Sequence, residues 1–107
     1  MAEHGLTDQQ VQTIRTILQP YACNITRVGL FGSRATGMAR PNSDIDLVLY
    51  GPLDEATVNR IWTLFDSSNL SIQVDVNAYD LIDYQPLKNH IDQVVTVLFT
   101  QAQLQDS

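Results

Sequence analysis

The chain has 107 residues, a formal net charge of -6 and a sequence pI of about 4.4. That is the reverse of the basic footprint a polynucleotide requires, so direct nucleic-acid binding is disfavoured. With 44% apolar and 17% charged residues the chain should fold, as one domain over 1–107 without a second module.

No apolar run approaches a bilayer-spanning length, and Met1-Ala2-Glu3-His4-Gly5 lacks the pattern of a signal peptide. Cys23 has no second cysteine to pair with and no activating neighbour in sequence, so it reads as an inert thiol in a reducing compartment. A cytoplasmic protein without a membrane contact is expected.

Thr7, with Gln10 three positions on, has the form of a capping box, and Val11, Ile14, Leu18 and Tyr21 follow at helical spacing. A helix is expected from Thr7 to about Gln19, ended by Pro20, with His4 solvated in a frayed end before it. Ile25 to Phe31 reads as a strand, broken at Gly32-Ser33. A helical turn over Ser33–Gly37 and a loop over Met38–Ser43, containing Pro41-Asn42, lead to a second strand, Asp44–Tyr50, closed by Gly51-Pro52.

Asp54 and Glu55 put two acids in the first turn of another helix, which suits its dipole. Val58, Ile61, Trp62 and Phe65 form its apolar face, to about Asp66, and that spacing favours core packing over a base-stacking platform for Trp62 and Phe65. After Ser67-Ser68-Asn69 a third strand is expected over Leu70–Tyr79, with Ile72, Val74 and Val76 on one face and Gln73, Asp75 and Asn77 on the other. Asp80–Tyr84 is a polar crossing. Pro86 can start a helix over Leu87, Ile91 and Val94, in which His90 is expected to face solvent or a partner, far from the acids. The β-branched run Val95-Thr96-Val97 with Leu98-Phe99 favours a short edge strand, and Gln101–Ser107 reads as a loose tail.

The chemistry concentrates between Val28 and Tyr50. Alternation turns Asp44 and Asp46 to one side of their strand and Ile45, Leu47 and Leu49 to the other, leaving two carboxylates roughly 7 Å apart at their Cα atoms. Like charges that close call for a cation, and a hard divalent ion such as Mg²⁺ suits oxygen ligands when phosphates complete its shell. Gly32 permits close backbone approach, and Ser33 offers a hydroxyl at a turn able to receive an anion. If the second and third strands are neighbours, Asp75 joins the two acids. A Walker A loop is excluded because Met38 stands where its lysine belongs. An EF-hand from Asp44 fails because Val48 falls on a ligand position.

Gly32-Ser33, a ten-residue spacer from Arg34 to Ser43, and Asp44-Ile45-Asp46 resemble the nucleotidyltransferase superfamily that includes DNA polymerase beta, most closely its minimal nucleotidyltransferase (MNT) branch. The motif sits within Leu30-Phe31-Gly32-Ser33-Arg34-Ala35 and Asp44-Ile45-Asp46-Leu47-Val48. The resemblance extends to the order of elements and implies an α/β fold, a small mixed sheet backed by helices on one face with the active site on the open face.

It further implies AMP transfer from ATP by two Mg²⁺ ions held by Asp44, Asp46 and Asp75, the last also a candidate base, with Asp80 and Asp83 as alternatives to it. Gly32, Ser33 and Arg34 would meet the nucleotide's phosphates, although Arg34 is as readily read as a surface ion pair, and Arg40 still more so. Members of the branch are paired with HEPN ribonuclease toxins, and some attach AMP to a toxin tyrosine, so a HEPN-type partner and antitoxin role are implied. Two other readings are kept: an antitoxin that acts by binding alone, and a small-molecule nucleotidyltransferase of the aminoglycoside type.

Overall fold

The computed structural model describes residues 5–37, 40 and 43–105. His4, the Pro41-Asn42 part of the loop and the last two residues of the expected tail lie outside them. Helix α1 (Asp8–Leu18) begins with the capping box: Thr7 Oγ1 accepts from Gln10 N–H and Gln10 Oε1 accepts from Thr7 N–H, at 3.1 and 2.9 Å. The α-helix ends at Leu18, ahead of Pro20 as expected, and the chain continues as a 3₁₀ helix, Gln19–Asn24, which accepts proline in its first turn.

Four strands follow, β1 (Arg27–Phe31), β2 (Ile45–Tyr50), β3 (Val74–Ala78) and β4 (Thr96–Thr100). They lie in the order β3-β2-β1-β4, with β1 antiparallel to β2 and β4, and β2 parallel to β3. Between them come α2 (Ser33–Thr36), α3 (Glu55–Asp66) and α4 (Gln85–Val94), and α5 (Gln101–Gln105) closes the described chain. A parallel pair needs a crossover, and α3 supplies it between β2 and β3.

Alternation divides the side chains as the sequence reading expects on β2. Ile45, Leu47 and Leu49 are fully buried with Ile14 and Leu18 of α1 and Ile61 and Phe65 of α3. The third strand is shorter than expected. The ladder starts at Ile45, opposite Val74, with Ile45 N–H donating to Gln73 O at 2.9 Å, and before it Leu70 N–H donates to Ser68 Oγ in a turn. The expected tail is helical instead: Thr100 and Gln103 bond reciprocally, Leu104 is fully buried, and the Gln101 side-chain amide donates to Ala22 O at 2.9 Å.

The second face of the sheet is not wholly open. β3 and β4 are the two outermost strands, so the helix joining them must cross the sheet, and α1 and α3 already fill one side. Helix α4 therefore crosses the acid-bearing side, where Ile91 is buried against Phe31 and Val48. Gly29 admits it: a Cβ there would lie 2.5 Å from a Val95 methyl. Tyr50 stacks on Tyr79 at 4.9 Å, Arg27 and Lys88 lie over the outer faces of these rings, and the Tyr79 hydroxyl donates to Asp92 at 2.8 Å.

Candidate active site

Successive side chains of β2 on this second face are Asp46, Val48 and Tyr50, so the strand is acidic at its start and apolar where α4 covers it. Register brings the acids together. Asp46 pairs with Asp75 across the parallel β2 and β3, and Asp44 stands just before β2. Asp44 and Asp75 are exposed, whereas Asp46 is half-buried. Burial pushes the Asp46 carboxyl above the usual range, and the charges of Asp75 and Asp44 push it further, while His90 pulls it back.

The antiparallel register of β1 and β2 sets Phe31 opposite Asp46, so the next residue, Gly32, lies against the Asp46 carboxylate. Gly32 is required twice over. Its φ of 73° with ψ of -151° is a region that side chains essentially forbid, and a Cβ would collide with Asp46 Oδ2. Ser33, half-buried, opens α2, whose amides at Ala35 and Thr36 close onto Gly32 O at 3.1 and 3.2 Å. A glycine turn and a carboxylate shelf are thus in direct contact.

Arg34, expected to meet phosphate or to form a surface ion pair, lies in the short helix α2. It is only 2% exposed, and its Nε and Nη2 donate to Ser43 O at 3.3 and 2.8 Å, bracing the loop that joins the turn to Asp44. Burial of the guanidinium lowers its pKa. Arg40 is exposed, and its backbone N–H and C=O bond Ser43 at the same end of the loop.

His90 corrects the sequence reading. Expected far from the acids, it stands edge-on to Phe31 with ring centroids 6.3 Å apart, and its charge reaches Asp46. No local pattern announces this position; it follows from the path of α4 between the outer strands.

The donor set suits a hard divalent cation: three carboxylates from one strand pair, with backbone able to approach closely at Gly32. Among the described residues no three such ligands are yet drawn together tightly enough to hold an ion. A cavity of about 740 Å³ lies between α3, the later part of β3 and α4, and is lined by Glu55, Asn59, Asn77, Asp83, Tyr84 and other side chains, without Asp44, Asp46 or Asp75.

A family model described as polymerase beta, nucleotidyltransferase matches residues 12–104. The chain belongs to that nucleotidyltransferase family. Over 77 residues the nucleotidyltransferase is 34% identical to a probable protein adenylyltransferase MntA of Haemophilus influenzae, a match covering 70% of this chain and 67% of that protein. Its fold is similar to that of a toxin–antitoxin crystal structure with AMP-PNP, at a TM-score of 0.69 and 20% identity over 89% of this chain and 80% of that one. It is also similar to a chain of the toxin–antitoxin MntA–HepT, at a TM-score of 0.65 and 18% identity over 94% and 78% of the two chains. At such identities the two structures speak to the fold of the nucleotidyltransferase alone, a small mixed sheet backed by helices.

Proposed function

We propose that this nucleotidyltransferase is an antitoxin that transfers AMP from ATP to a hydroxyl, a tyrosine, of a HEPN-type toxin partner and so neutralises it in the cytoplasm. The observation that carries the reading is the contact of Gly32 with Asp46, beside Asp75 and Asp44. Similarity to a probable protein adenylyltransferase, and a fold shared with chains of toxin–antitoxin complexes, support the acceptor and the partner. An acidic chain suits docking onto a basic RNA-cleaving surface.

Asp44, Asp46 and Asp75 would hold two Mg²⁺ ions, which when bound neutralise charge on the α-phosphate and the departing pyrophosphate. Gly32 leaves room for the phosphate chain, and Ser33 offers it a hydroxyl donor. Asp75, exposed at the strand edge, accepts the proton of the attacking hydroxyl. Arg34 keeps the turn and Asp44 in register by holding Ser43, a supporting role in place of phosphate binding.

Intact mass of the partner toxin, incubated with this chain, ATP and Mg²⁺, tests the proposal. A gain of one or more AMP units is expected, and none with the Asp44→Ala, Asp46→Ala double variant. Full rescue from the toxin by that variant, without mass gain in any sample, would instead establish inhibition by binding alone.

A further inference from the structure

We propose that His90 is a substrate-contacting residue whose imidazole N–H donates to the phosphate chain of the bound nucleoside triphosphate, beside Gly32-Ser33. The inference rests on the reading of Gly32-Ser33 as the triphosphate's seat and adds to it a residue from a different element. A triphosphate entering a face that already carries three carboxylates needs donors or positive charge from the protein as well as from metal ions.

The described cationic side chains are largely engaged elsewhere. Arg27 and Lys88 lie over Tyr50 and Tyr79, and Arg34 is buried against Ser43. Arg15 is on α1, bordering Leu98, Phe99 and Gln103, and Arg60 on α3 acts on Asp54. Arg40 is exposed on the loop. His90 is different in position. It is exposed, and it contacts Phe31, the residue that both pairs with Asp46 and precedes Gly32.

Helix α4 is fixed there by Ile91, by the Tyr79–Asp92 hydrogen bond and by Lys88 over Tyr79, so the imidazole is presented by a rigid element rather than a mobile loop. The edge contact with Phe31 orients the ring and leaves its nitrogens to a ligand.

Calorimetric titration of Mg²⁺·ATP into the full chain, without any acceptor, tests this with three variants. His90→Ala removes ring and donor, His90→Phe keeps the ring contact without a donor, and His90→Gln keeps a donor without the ring. Binding about tenfold weaker is expected for His90→Ala and His90→Phe, with much of the loss recovered in His90→Gln. His90→Phe binding as tightly as the natural chain, or His90→Gln no better than His90→Ala, would overturn the proposal and leave His90 a packing residue. Failure of the natural chain to bind Mg²⁺·ATP would overturn the nucleotide-site reading itself, and the inference with it; intact binding with unaffected variants would remove only the role of His90.

Discussion

Asp46 is held in a position that suits a ligand better than it suits the protein alone. Half-buried, with Asp75 and Asp44 near, its folded-state carboxyl is raised above its unfolded value. The folded state therefore holds the proton more tightly than the unfolded chain does. The penalty is absent at acid pH, below the unfolded pKa, and appears as pH rises through the carboxylate range to the folded pKa. Asp46→Asn should thus raise the melting temperature of the metal-free protein at pH 7, on the order of 2–4 °C, with the gain shrinking as pH falls through the carboxylate range and gone below about 4. Melting curves across that range check it, and the same variant should lose nucleotidyl transfer. Gly32 shows what sequence conveys at this scale. The residue type and its place after a strand are legible, but the reason only glycine fits, the Asp46 carboxylate pressed against it, depends on register.

Local signals explain most elements, and α5 carries one of its own. Thr100 and Gln103 repeat the spacing of Thr7 and Gln10, which correctly starts α1, yet the apolar content of 101–107 is low and the segment reads as a tail. The structure makes it α5, pinned by one buried residue. Leu104→Ala should cost about 2–4 kcal/mol in denaturant unfolding, as a fully buried leucine does; a loss within 0.5 kcal/mol, the range of a surface change, would mean the helix is an ornament. His90 was illegible for another reason. Helical periodicity identifies the face of α4 that packs, through Leu87, Ile91 and Val94, but not the side of the sheet it packs on. That side is set by strand order, which joins residues far apart in sequence.

At the scale of the whole molecule, charge and site act together. A chain of net charge -6 that gathers three acids on one face should gain more from a bound divalent cation than from ionic strength alone. Millimolar Mg²⁺ with ATP should raise the melting temperature by several degrees, while the same ionic strength from KCl should give a clearly smaller rise; equal shifts would show simple screening. The strand character of β1, β2 and β4 and the shared side of Asp44 and Asp46 are readable from alternation and motif spacing, whereas the parallel pairing that sets Asp75 opposite Asp46 is a matter of strand order. The path of α4 over Phe31 and Val48 is not readable in that way.

The path of α4 has one more effect. Outer strands ordinarily fray first, each on its own, but here one helix is tied at its start to β3 and at its end to β4. Amide hydrogen exchange should accordingly find β3, α4 and β4 opening as a single cooperative unit, with closely matched protection on opposite margins of the sheet. The strap that carries His90 would then also be what keeps the two borders of the molecule from unravelling separately.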